Sequence, residues 1–119
     1  MRLALLATPL LAFALADAHA QDAQAGAQAF MQCAECHSPA DNDGVGPGLK
    51  GVVGRRAGGK SGFIYSPAMA KSALTWDAAT LDAYLADPRG KVPGTTMNFP
   101  GVDDAKERAD LVAYLRTLK

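Results

Sequence analysis

Apolar residues recur at helical spacing in three stretches of this chain, separated by long segments dense in glycine and proline. The first stretch starts at Asp22, a good helix cap, and continues through the helix formers Ala23 to Met31. It is expected to run into Cys33–Cys36. Gly26 and Phe30 are four apart and share a face. A mid-helix glycine costs about 1 kcal/mol relative to alanine. Gly26 therefore marks either a close approach by another segment or a tolerated weakness, and the pattern leaves both open. Ser66-Pro67 has the form of a cap followed by a first-turn proline and predicts a short helix to about Lys71. The second strong stretch opens at Thr75-Trp76-Asp77, with Leu81, Tyr84 and Leu85 as its apolar stripe, and Pro88 ends it. Arg89 to Gly101 reads as loop. The last helix is predicted from Asp103 or Asp104 towards Lys119, with Glu107 placed to complete a capping box with Asp104. Leu111, Tyr114, Leu115 and Leu118 form its apolar face.

Between the first two helical regions, Ser38 to Gly62 is irregular chain. A structureless loop this long inside a small domain is normally functional or disordered. Leu49, Val52 and Val53, followed by Phe63, Ile64 and Tyr65, supply apolar anchors against disorder. There is no internal repeat and no alternating strand pattern of useful length. The prediction is an all-α fold of short helices and long loops.

The N-terminus has a different character. Arg2 precedes an apolar run from Leu3 to Ala16, which ends in Ala18-His19-Ala20. A basic start, a short apolar centre and an A-x-A end predict a signal peptide over residues 1–20, cut after Ala20, and a mature domain over 21–119. The run falls short of the roughly 20 apolar residues of a membrane span. Nothing later is apolar enough to insert stably in a bilayer, so a soluble protein in the periplasm is expected. Twelve basic residues balance twelve acidic ones, which argues against a nucleic-acid partner.

The chemistry lies in Cys33-Ala34-Glu35-Cys36-His37. Two thiols two residues apart, with histidine next, form the attachment pattern for c-type haem. Each thiol can add across a vinyl group, and the imidazole then reaches the iron. A redox CxxC or half of a zinc site would share the spacing. The first belongs near a βαβ pattern, which is lacking, and the second needs four ligands. With His19 in the predicted signal peptide, His37 is the one histidine of the mature chain, too few for zinc without carboxylates. A flat cofactor would also explain the long loops that wrap it.

A haem iron has a second axial position. A second histidine is lacking, which leaves Met31, Met69 and Met97. Met31 sits beside the cysteines, and Met69 is placed for packing. Met97 lies in a loop far along the chain from His37 and is the expected ligand, with packing as its alternative role.

Taken in order, these motifs resemble class I c-type cytochromes, of the mitochondrial cytochrome c and bacterial cytochrome c2 type. The likeness runs from Gly26 and Phe30 through Cys33-x-x-Cys36-His37 and Gly46-Pro47-Gly48-Leu49 to Gly54-Arg55 and Phe63-x-Tyr65. It continues through Thr75-Trp76, Leu81-x-x-Tyr84-Leu85 and Pro93-Gly94-Thr95-x-Met97-x-Phe99 to Asp110-Leu111-Val112-x-Tyr114-Leu115. The resemblance implies one haem c held through Cys33 and Cys36, with His37 and Met97 on the iron. It implies that Gly26 and Phe30 pack against Leu111 and Tyr114. It implies that the Pro47 carbonyl accepts from His37. Tyr65 and Trp76 would bind a haem propionate with Arg55 nearby, and Tyr84 and Thr95 would lie near Met97. For the aromatics, core packing is the alternative. Two departures stand out. Met69 replaces a usual asparagine near the haem. The lysine ring of the mitochondrial proteins is thinned to Lys50, Arg89 and Lys91, with Gln32, Thr96, Asp103 and Asp104 at or near its other places.

The expected function is a monomeric one-electron carrier rather than an enzyme, since two strong axial ligands leave no open position on the iron. Expected donors are a quinol-oxidising complex or a dehydrogenase. Expected acceptors are an oxidase, a reductase or a photosynthetic reaction centre. Two rivals are distinct: an enzyme or gas sensor, if Met97 leaves the iron, and a non-haem interaction module with a CxxC disulfide.

Overall fold

The computed structural model describes residues 21–119, so the predicted signal peptide lies outside the described residues. Among the described residues, five α-helices follow one another: α1 (Ala23–Ala29), α2 (Pro67–Ala70), α3 (Ala78–Ala86), α4 (Pro88–Lys91) and α5 (Ala105–Leu115). No strand forms among them, and one antiparallel bridge pairs Arg56 with Thr75. The all-α expectation matches this architecture. No helix among the described residues is long and apolar enough to cross a membrane.

Every helix begins on a side chain that accepts from its otherwise orphaned backbone N–H groups. Asp22 accepts from Gln24 and Ala25, Ser66 from Met69, Asp77 from Thr80, Asp87 from Gly90, and Asp104 from Lys106 and Glu107. Three helix readings of the sequence need correction. The first helix does not run on to the cysteines as an α-helix: after Ala29 it tightens into a 3-10 turn, Phe30–Gln32, and Cys33–Cys36 lie in turns. Pro88 ends α3 but also begins α4, because Asp87 caps it and proline suits its first position, so Arg89–Lys91 are helical and not loop. The capping box at Asp104 is half made. Its carboxylate accepts from the Glu107 N–H at 3.4 Å, while the Glu107 carboxylate accepts from the Gln32 amide at 3.2 Å.

The core sits where α1 crosses α5. A Cβ on Gly26 would overlap the Asp110 carbonyl oxygen and lie 2.8 Å from the Tyr114 Cβ, so only glycine permits this approach. That resolves the open reading of Gly26 in favour of close packing. Phe30 packs its ring 5.1 Å from Tyr114. Leu111, Val112 and Leu115 are buried against this crossing. Arg108 ties α5 to α3 through Asp82 at 2.8 Å and donates to the Val102 and Asp103 carbonyls, which anchors the end of the loop bearing Met97. Val52 and Ala57 hold the long irregular segment to the core, with Leu49, Val53 and Tyr65 packed beside them. Ile64 is not one of its anchors: it is 92% exposed, because the segment's turns aim Tyr65 inward and Ile64 out.

Candidate functional site

The histidine is fixed first. The turns after Phe30 close through Cys33 N–H to Phe30 O at 2.8 Å and His37 N–H to Cys33 O at 2.9 Å. Those bonds put both thiols and the imidazole on one short, tightly wound stretch. His37 Nδ1 lies 2.8 Å from the Pro47 carbonyl oxygen. A carbonyl only accepts, so Nδ1 carries the proton and Nε2 presents its lone pair, the form a metal requires. Gly46 lets the loop pass this close, since a Cβ there would fall 2.7 Å from Nδ1. The loop is tied back by Gly46 N–H to Cys36 O at 2.8 Å and Leu49 N–H to Ser38 O at 2.9 Å.

Cys33 is half-buried and Cys36 exposed, and they are not joined to each other. Burial, aided by the charges of Glu107 and Cys36, pushes the Cys33 thiol up to about 11. Among the described residues, no three His, Cys, Asp or Glu side chains gather to hold a metal, whereas a structural zinc site takes four ligands.

A second group forms around the Arg56–Thr75 bridge. The Trp76 N–H donates to the Arg55 carbonyl at 2.9 Å and the Gly54 N–H to the Trp76 carbonyl at 2.9 Å, which sets Arg55 beside Trp76. The Arg55 guanidinium donates to the Gly48 and Lys50 carbonyls at 3.1 and 3.2 Å. Its Nε is buried and has no partner among the described residues. A buried cationic donor is costly to leave unmet and marks the place of an acceptor from outside the polypeptide. Tyr65 accepts from the Lys60 N–H at 3.2 Å, which leaves its own phenol proton to be donated elsewhere.

The third group surrounds Met97. Tyr84 Oη lies 3.1 Å from Thr95 Oγ1 and 3.3 Å from Met97 Sδ. Burial raises the Tyr84 pKa, against the lowering effect of Thr95. Trp76 and Tyr84 pack at 4.9 Å between ring centres, which joins this group to the second. Arg55 joins the second to the first through Gly48. Nine of the ten residues singled out in the sequence thus fall into three linked groups, whereas Tyr65 stands apart, its ring 4.9 Å from Phe63 and its hydroxyl on the Lys60 N–H. Sequence reasoning missed Asp43 and Lys60, paired at 2.9 Å between two loops. No periodicity or short motif connects such positions.

These donors fit a haem: paired thiols, an Nε2 lone pair, a thioether sulfur, and a buried guanidinium N–H suited to a propionate. The family model for cytochrome c matches residues 23–119. Cytochrome c2 of Rhodomicrobium vannielii is 50% identical over 100 residues, covering 82% of this chain and 80% of that protein. Cytochrome c2 of Blastochloris viridis is 45% identical over 109 residues, 90% of this chain and 86% of that one. The solved structure of cytochrome cH from Methylobacterium extorquens superimposes with a TM-score of 0.78 at 55% identity, covering 81% of this chain and 98% of that one. One haem c is attached through Cys33 and Cys36, and the chain belongs to the cytochrome c family.

Proposed function

We propose that this protein is an exported one-electron carrier whose iron is held by His37 and Met97. The observation that carries the reading is the bond from His37 Nδ1 to the Pro47 carbonyl, which supports ligation through Nε2 by leaving that nitrogen its lone pair. When bound, haem supplies a single one-electron couple at its iron. The chain's own residues do the rest. His37 and Met97 would hold the iron and leave it no open position for substrate, which would set a carrier apart from an enzyme. The methionine favours the reduced state and a high potential. Arg55, Trp76 and Tyr65 would hold a propionate, whose charge Arg55 would partly neutralise. Tyr84 and Thr95 orient the Met97 sulfur.

The cytochrome c2 relatives support the carrier role. The basic, apolar and A-x-A pattern of residues 1–20 supports export to the periplasm, with 21–119 as the working domain. There a monomer would take electrons from a quinol-oxidising complex or a dehydrogenase and pass them to an oxidase, a reductase or a reaction centre, in brief encounters over a small interface. Spectroscopy and redox titration of the oxidised protein test the ligand set. The wild type is expected to show the sulfur-to-iron absorption band and a single one-electron couple. Met97→Ala is expected to keep the haem, lose the band, lower the potential and admit small ligands. An unchanged potential in Met97→Ala would overturn the assignment.

A further inference from the structure

Asp43 belongs to none of the three groups, yet it touches the peptide that holds His37, and Lys60 pairs with Asp43. The Pro47 carbonyl and the Gly48 N–H are the two ends of one planar, resonance-stabilised unit. The carbonyl end receives the His37 Nδ1 proton at 2.8 Å, and the N–H end donates to Asp43 Oδ1 at 2.9 Å. Lys60 Nζ sits 2.9 Å from the same Asp43 oxygen and 3.7 Å from Asp41 Oδ1. The Lys60 side chain is only 12% exposed, so its charge is partly shielded from solvent, whereas Asp41 is 78% exposed.

We propose that Asp43 tunes His37 through the Pro47–Gly48 peptide, and that Lys60 sets the strength of the effect. A carboxylate on the N–H end polarises the amide and makes the carbonyl oxygen a stronger acceptor, because linked hydrogen bonds reinforce one another. The His37 N–H is then held more strongly and the imidazole becomes a stronger electron donor. A stronger donor favours oxidised iron. Lys60 draws charge from the carboxylate and opposes this. The Gly48 N–H, followed by Lys60, holds the Asp43 carboxyl below its ordinary range, so it is charged at neutral pH. Asp43 and Lys60 are positioning residues, and the inference rests on the reading of His37 as the iron ligand.

The test uses the haem-loaded, reduced protein and the proton resonance of His37 Nδ1–H, with the reduced-to-oxidised ratio measured at one fixed electrode potential. Asp43→Asn is expected to move the resonance upfield and raise the ratio about twofold, the scale of a one-fifth change in a charge-assisted hydrogen bond. Asp43→Glu should restore both. Lys60→Gln should move both the opposite way. Asp41→Asn removes the same charge near Lys60 without touching Gly48, and should leave the resonance in place and move the ratio less than half as far. Equal effects of Asp43→Asn and Asp41→Asn, or an unmoved resonance in Asp43→Asn, would overturn the inference while leaving the ligand assignment intact. A wild type without the imidazole–iron spectrum would overturn both. Should Asp43→Asn fail to accumulate, Lys60→Gln decides alone, and an unmoved resonance there counts against the inference.

Discussion

The Tyr84 hydroxyl stands 3.3 Å from the Met97 sulfur, with the Thr95 hydroxyl 3.1 Å away on its other side. A thioether only accepts, so Tyr84 donates to sulfur and Thr95 donates to Tyr84. Electron density drawn towards that proton weakens the sulfur as a donor to oxidised iron. Tyr84→Phe is therefore expected to lower the reduction potential. A neutral hydrogen bond of about 1 kcal/mol corresponds to about 40 mV for a one-electron couple, which bounds the shift. Protein-film voltammetry of the two proteins measures it, and a rise on removing the hydroxyl would refute the orientation drawn here.

At the helix crossing, Gly26→Ala forces a methyl group into the Asp110 peptide, with 2.6 Å to its carbonyl carbon. The helix propensity gained is about 1 kcal/mol. Overpacking against backbone outweighs it, and a net loss of about 2 kcal/mol is expected. Urea denaturation of the haem-loaded protein should show a lower midpoint with little change in slope. Equal midpoints would mean that α1 and α5 do not meet this closely.

How much of this was legible in the sequence depended on how local each signal was. Cys33, Cys36 and His37 lie within five residues, and Asp22 and Ser66 act on N–H groups two or three residues away, so the motif and those caps can be read directly. Asp87-Pro88 carries the same signal as Ser66-Pro67, but after a finished helix the pair reads only as a stop. The irregular segment was harder. Its residues have no period, so nothing showed that Ile64 faces out while Tyr65 faces in. The pairs Asp43–Lys60, Arg108–Asp82 and Gln32–Glu107 join separate parts of the chain and depend on the fold already being formed.

Acid should loosen the contact between the chain's first helix and its last. Asp110 is buried, and Lys106, followed by the Asp22 N–H, holds its carboxyl below the ordinary value of 3.8. A carboxyl lowered on folding adds stability that is fully present above its unfolded pKa and is lost as pH falls below 3.8 through the folded value. The stability gap between wild type and Asp110→Asn should therefore be widest at neutral pH and narrow below that value. Denaturation series at several pH values check this. A gap that stays constant, or widens in acid, would show that Asp110 contributes through shape and not through charge.

Intact-mass measurement of the protein purified from cells able to attach haem bears most directly on the central claim. The account predicts the mass of the polypeptide from residue 21 onwards plus one haem, with the haem retained after denaturation because Cys33 and Cys36 hold it covalently. The mass of the bare polypeptide, or a haem that separates on denaturation, would contradict it.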